Sequence, residues 1–297
     1  MRPTPGLAAT ALLALALFAS GPAVAGEVQV RVRGGDGSVA RVALEPYVER
    51  AVAGEVWATW PVEALKAQAV VARSYALHQR RQNAAQPYDV ESSVVSQRFA
   101  RGPVARRIRE AVRATRGQYL SYSDAPILAA FHSSAGGRTA SALEVWGEDL
   151  PYLRPVESPD DAAPDFFWSY QIPIEDLRAA LREAGFAPRG RPRVRVVERS
   201  PSGRAARLEV LGAPLSGRAL REVLGGRALR SSLFDVSIED GSVRFLGSGA
   251  GHGVGLCQWG ARELALRGQG YREVLAHYYP GTGLTQLGAS GDLAVRH

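Results

Sequence analysis

Residues Pro61 to about Arg81 read as one long helix, and no other run constrains the chain as strongly. The segment is rich in alanine, leucine and glutamine, which extend helices at little entropic cost. Pro61 suits a first-turn position, where a missing N–H is not needed. A helix of this length must lay an apolar face on something. Upstream, Val28 to Val32 alternates with polar residues and reads as a strand, with Val39 to Leu44 as its hairpin partner across Gly34-Gly35-Asp36-Gly37. Pro46 to Val52 reads as a short helix, Ile108 to Thr115 as another, and Gln118 to Tyr122 as a strand. Between about 166 and 245 the signals alternate. Ile174 to Ala184 is helical, Val194 to Val197 and Ala206 to Leu211 form a hairpin, Ala219 to Leu224 is a short helix, and Val236 to Phe245 is a hairpin over Asp240-Gly241. A glycine-rich loop, 247–255, leads to helices near Cys257 to Leu266 and Tyr271 to Tyr278. Segregated hairpins and helices predict an α+β fold. The expected organisation is a single domain, built from 26–165 and 246–288, with a mixed strand and helix lobe at 166–245 inserted in the middle and a tail at 289–297.

Residues 1–25 carry the pattern of a secretory signal peptide. Arg2 precedes an apolar stretch from Leu7 to Ala19, and Ala23-Val24-Ala25 offers a cleavage site before Gly26. The stretch is shorter than the roughly 20 apolar residues a spanning helix needs. The expectation is an exported protein, periplasmic or associated with the cell wall, with no stable membrane insertion after cleavage.

The residue inventory excludes several chemistries. Basic residues number 36 against 29 acidic, a formal charge of +7, yet Lys66 is the sole lysine. It follows Leu65, not glycine, so there is no P-loop. Cys257 is the single cysteine, which removes intrachain disulfides, cysteine-rich zinc sites and iron–sulfur clusters. His132, His252 and His277 are scattered, so no metal and no other cofactor is expected. The basic balance favours anionic surfaces such as wall polymers. Nucleic acid is not expected, because the arginine-rich run Arg189 to Arg207 lacks interleaved stacking aromatics and reads as a solvated surface.

Three segments are dense in chemistry. In AVAGEVWATWPVEALKAQAVVARSYA, 51–76, Glu55 lies among Val56, Trp57 and Trp60. A carboxyl held against apolar and aromatic groups keeps its proton more readily and can act as a general acid. The alternative is a helix-end cap with the tryptophans in the core. Lys66 and Arg73 share a helix face, and Glu63 can pair with Lys66 at i, i+3. The second segment is FHSSAGGRT, 131–139, where His132 and Ser133 could bind a sugar hydroxyl or cap a turn. No G-x-S-x-G elbow accompanies them. The third is GSGAGHGVGLCQWGA, 247–261, whose glycines do not match a dinucleotide fingerprint. A thiol protease would use Cys257 with His252 or His132. The place of Cys257 between Leu256 and Gln258, at a helix start, points instead to a buried inert thiol. His252, Gln258 and Trp259 in such a loop suit a polysaccharide-lining surface.

Together, VAGEVWATWPVEALKAQAVVARSYA, FHSSAGGRT and GHGVGLCQWGARELALRGQGYREVLAHYYPGT resemble the SpoIID/LytB family, the stage II sporulation protein D and amidase-enhancer group. The resemblance spans roughly 28–286 and is weaker through 160–245. It implies a lytic transglycosylase that cuts peptidoglycan glycan strands stripped of stem peptides, leaving 1,6-anhydro ends, with an N-acetylmuramoyl-L-alanine amidase as a partner. It implies Glu55 as the catalytic acid and base, and Lys66, Arg73, His132, Ser133, Gln258 and Tyr278 as glycan-lining residues. Some sporulation members carry a cysteine/histidine zinc site after the long helix. Here that segment, YDVESSVVSQRF at 88–99, has neither residue, so no metal is implied. The resemblance also leaves open a non-catalytic glycan-binding amidase enhancer. A glycoside hydrolase, with Asp89, Glu91 or Glu144 as base, is the third reading.

Overall fold

The computed structural model describes residues 27–91, 102–190 and 192–288. The expected signal peptide and C-terminal tail lie outside them, as does most of 88–99. Elements are numbered along the chain. The described chain divides into two units. The first runs to Ala129 and also takes in Gly270–Arg272 and the segment from Thr282. The second is Ala130–Gln269 with Glu273–Gly281. Helices and strands occur in both, and the fold is α+β. Among the described residues no helix is long and apolar enough to cross a membrane.

In the first unit β1 (Gln29–Arg33) pairs antiparallel with β2 (Val39–Ala43), in the register Gln29 to Ala43, as the alternating pattern predicted. A two-residue strand, β3 (Val90–Glu91), adds to β1 in parallel. Helix α1 (Leu44–Glu55) is longer than the expected Pro46–Val52. Pro46 is accommodated because it sits in the first turn, whose N–H groups have no helical acceptor. The extension at the other end makes Glu55 the last residue of α1. Helix α2 (Val62–Gln82) follows, with Pro61 as its N-cap residue. Helix α3 (Arg106–Ala114) and strands β4 (Gln118–Tyr122) and β5 (Ala125–Pro126) come next, and β14 (Gly283–Gln286) pairs with β4.

One buried charge pair ties this unit together. Arg73, on α2, has 0% of its surface exposed. Its Nε and Nη2 donate to both carboxylate oxygens of Glu45 on α1, at 2.9 and 2.7 Å, and its Nη1 donates to the Gln118 carbonyl at 2.9 Å. Glu45 also accepts the Gly117 N–H at 3.1 Å. The adjacent Ser74 hydroxyl donates to the Val70 carbonyl and accepts the Leu120 N–H. Two neighbouring polar residues therefore fix α2 against α1 and β4. Around them Tyr47, Val52, Leu65, Val70, Ala72, Ile108 and Leu120 are buried.

The second unit contains β6 (Phe131–His132), α4 (Ala142–Trp146), β7 (Phe167–Pro173), α5 (Ile174–Glu183), β8 (Val194–Arg199), β9 (Ala205–Val210), β10 (Ala213–Leu215), α6 (Gly217–Leu224), β11 (Phe234–Glu239), β12 (Ser242–Ser248), β13 (Leu256–Cys257) and α7 (Gln258–Leu266). Helix α8 (Tyr271–Tyr278) enters it at Glu273. The residues between 166 and 248 form two antiparallel three-stranded sheets, ordered β11-β12-β7 and β10-β9-β8. Their shared core includes Leu177, Leu181, Leu208, Leu220, Phe234, Val243 and Phe245. In the arginine-rich run, Arg195, Arg199 and Arg207 are exposed and pair with Glu209, Asp235 and Glu198, which suits a solvated surface. Arg204 departs from that expectation and is 4% exposed.

Removing one partner of a buried, hydrogen-bonded ion pair leaves an uncompensated charge in the core. Arg73→Ala is expected to destabilise the first unit by about 3–5 kcal/mol. Denaturant unfolding measures this, and a change below about 1 kcal/mol would deny the pair its structural role.

Candidate functional site

Glu55 closes α1, and Val56 and Trp60 beyond it are buried. The Glu55 side chain is half-buried. It lies near enough to the buried Tyr47 hydroxyl to matter electrostatically. Burial, first, and then Tyr75 and Glu55 push the Tyr47 pKa well above the usual phenol range. A tight turn follows, in which the Trp60 N–H donates to the Trp57 carbonyl at 3.0 Å. The Trp57 ring stands edge-on to the Trp60 ring, with centroids 5.7 Å apart, and remains 59% exposed.

Lys66 makes the expected i, i+3 pair with Glu63 at 2.6 Å. Its ammonium also lies 5.7 Å from the centre of the Tyr271 ring, and Glu63 accepts the Tyr271 N–H at 2.9 Å. Arg73, expected on a glycan surface, is instead the buried cation that holds α1 to α2. Gln68, two residues beyond Lys66 on α2, was not singled out from the sequence. It is 2% exposed, and neither its carboxamide oxygen nor its nitrogen has a partner among the described residues.

In the second unit two segments flagged in the sequence come together. Strand β6 and β13 pair in parallel, and Ser134 and Ala250 exchange backbone hydrogen bonds at 3.0 and 2.8 Å. The glycines at 249, 251, 253 and 255 all have positive φ. At Gly255 a Cβ would fall 2.0 Å from the Ala130 carbonyl oxygen, and at Gly251 2.7 Å from the His132 Cβ. Only glycine lets the two backbones run this close. The FHSSAGGRT segment is shaped by Asp160, a residue the sequence did not mark. Its buried carboxylate accepts the Ser134 hydroxyl at 2.6 Å and the Gly136 and Gly137 N–H groups at 2.9 Å. Arg204 donates to the Ala135 carbonyl at 3.0 Å.

This scaffold sets two histidines side by side, with ring centroids 5.6 Å apart, and places Trp146 5.2 Å from His252. His252 Nδ1 accepts the Val254 N–H at 3.0 Å, and the ring also bonds the Phe131 backbone. This fixes the neutral tautomer with its proton on Nε2. His132 Nδ1 meets the Val254 carbonyl at 3.1 Å, so it carries the proton, and the buried Nε2 lone pair has no partner among the described residues. Burial lowers the His252 pKa to about 4, against the Phe131 bond and with help from Arg221 and Arg204. Burial also lowers that of His132, well below the usual range, with help from His252 and Arg204.

Three other expected residues belong to this unit. The Ser133 carbonyl accepts the Trp259 N–H and the Cys257 thiol. Gln258 opens α7 and is buried, with its amide nitrogen unpartnered among the described residues. Tyr278 is fully buried, its hydroxyl 3.0 Å from that of Ser158. It supports the fold and lines no surface. Cys257 is buried, and burial raises its thiol pKa to about 12, the state of an inert cysteine.

Both histidines are neutral when folded and titrate near 6.5 when unfolded, so the unfolded chain binds more protons below that pH. Stability is therefore expected to fall as pH drops from about 6.5 toward 4, and His252→Asn is expected to flatten that fall. Denaturant midpoints against pH measure it; equal slopes for the two proteins would refute the assignment.

The family described as Stage II sporulation protein (SpoIID) matches residues 33–122, and a domain of unknown function (DUF8618) matches residues 152–255. An uncharacterized protein of Brachyspira hyodysenteriae is 31% identical over 240 residues, covering 80% of this chain and 65% of that protein, so the chain spans somewhat under two thirds of that relative. The amidase enhancer of Bacillus subtilis is 26% identical over 286 residues, 79% of this chain and 39% of that protein. Stage II sporulation protein D of Bacillus amyloliquefaciens is 31% identical over 270 residues, which cover 84% of this chain and 76% of that protein. On that extent of likeness, and with the motifs of both units accounted for, the chain belongs to the stage II sporulation protein D family.

Proposed function

We propose that this chain is an exported cell-wall enzyme, a lytic transglycosylase of peptidoglycan strands already freed of stem peptides. It serves wall remodelling or sporulation. The observation that carries the reading is the setting of Glu55. The carboxyl stands at the end of a rigid helix, half-buried near the Tyr47 phenol and two residues from an exposed indole. A carboxyl so placed can serve first as acid and then as base. Glu55 protonates the oxygen bridging N-acetylmuramic acid to N-acetylglucosamine as positive charge develops at the anomeric carbon. The carboxylate formed then takes the proton of the muramic C6 hydroxyl, which closes on that carbon and yields a 1,6-anhydro end.

A hydrolase needs a second carboxylate to activate water. Each candidate is engaged elsewhere. Asp89 is buried and accepts Arg31 through both Nε and Nη2, at 3.0 and 2.5 Å. Glu91 pairs with Arg33. Glu144 closes a capping box with Ser141 and accepts the Ser202 N–H and hydroxyl. These engagements favour the intramolecular attack. In this reading Lys66, in the unit that carries Glu55, contacts glycan. Arg73 positions the helix that follows Glu55. The family relationship supports a wall-directed role, and the amidase-enhancer relative supports an amidase as partner. That relative also favours a second reading, a glycan-binding module that stimulates an amidase without cutting.

Mass spectrometry of products from peptide-free strands separates the readings. Wild type is expected to release anhydro-muramic ends, and Glu55→Gln to lower the rate by at least ~100-fold with the fold intact. Reducing ends in place of anhydro ends would establish a hydrolase. No cleavage by wild type, together with stimulation of an amidase, would establish the enhancer.

A further inference from the structure

Arg107 lies in the first turn of α3, within the first unit, and its side chain is exposed. Its Nη2 donates to the Trp60 carbonyl at 3.1 Å, which brings the guanidinium to the turn that carries Trp57. The arginines around it are otherwise occupied. Arg106 pairs with Glu110 at 2.7 Å, and Arg109 donates to the Val104 carbonyl. Among the described residues no carboxylate pairs with Arg107. A guanidinium carries five donors, and a main-chain carbonyl takes one of them here, leaving a cationic fork at the turn that carries Trp57, whose indole stands edge-on to Trp60. An aromatic face with an adjacent cation suits a sugar ring bearing an anionic substituent.

We propose that Trp57 and Arg107 form a subsite for muramic acid, the indole taking a pyranose face and the guanidinium taking the lactyl carboxylate. This rests on the peptidoglycan reading above and gives it a basis for selectivity. An amidase that removes the stem peptide turns a neutral lactyl amide into a carboxylate, which is ionised at neutral pH. Arg107 distinguishes the two chemically, since a guanidinium binds a carboxylate through charge-assisted hydrogen bonds and gains far less from an amide. The preference for peptide-free strands then resides in one side chain of the unit that carries Glu55, with no need for steric exclusion of the peptide.

Calorimetric titration of the full chain as Glu55→Gln, which suppresses turnover, tests this at low salt. The probes are a peptide-free muramic acid/glucosamine oligosaccharide, the same oligosaccharide with its lactyl groups as methyl amides, and a chitin oligosaccharide of equal length. The carboxylate form is expected to bind about 3–10-fold tighter than the amide form. Adding Arg107→Gln is expected to remove that preference while leaving chitin binding unchanged. Adding Trp57→Ala is expected to weaken all three by about tenfold, and Trp57→Tyr to restore most of the loss. If the carboxylate form binds and its preference survives Arg107→Gln, or if Trp57→Ala changes nothing, the subsite is wrong and the proposed function stands. If none of the three glycans binds, the glycan reading fails and the subsite with it.

Discussion

The first unit depends on a salt bridge whose cation is sealed from water. Arg73 reaches from α2 to both oxygens of Glu45 on α1 and to the carbonyl that begins β4, so three elements meet on one guanidinium. A buried pair of this kind adds little net stability over a well-packed apolar pair, because desolvation offsets the attraction. What it supplies is register. An apolar contact tolerates a helix slipping by part of a turn; a bidentate hydrogen-bonded pair with a third bond to the main chain does not. The end of α1, and with it the carboxyl of Glu55, inherits that fixity.

The second unit solves a different problem, which is how to bring two stretches of main chain together with only a two-residue strand on each. Alternate glycines remove the side chains that would collide, and Asp160 gathers the Ser134 hydroxyl and two successive N–H groups into one turn. Burial keeps both imidazoles neutral, and their backbone partners choose the tautomers. His252 receives an N–H on one nitrogen, and His132 gives its proton to a carbonyl, so each is a defined tautomer at neutral pH.

Legibility followed the range of the interactions. The helix at 62–82, the hairpin at 29–43 and the strand at 118–122 were readable because alanine content, alternation and turn residues are local. Helix α1 was underestimated at both ends, since the expected Pro46–Val52 omits the two residues before the proline and the last three residues. Strand β7 went unnamed, and the two-residue pairings of β6 and β13 carry no periodic signal at all. Among candidate residues Glu55 stood out for its tryptophan neighbours. Arg73, Arg204 and Tyr278 are polar types that composition assigns to the surface, and only their distant partners, Glu45, the Ala135 carbonyl and Ser158, explain why they are inside. Gln68 is the converse case, a buried amide that nothing in its local sequence sets apart.

The lone thiol has a consequence of its own. With its pKa near 12, Cys257 holds a reactive thiolate fraction of only about one part in a hundred thousand at pH 7. An alkylating reagent in solution therefore meets it only when the surrounding segment swings open. The rate of alkylation becomes a clock for that breathing, set into the wall where β6 and β13 meet and needing no introduced label.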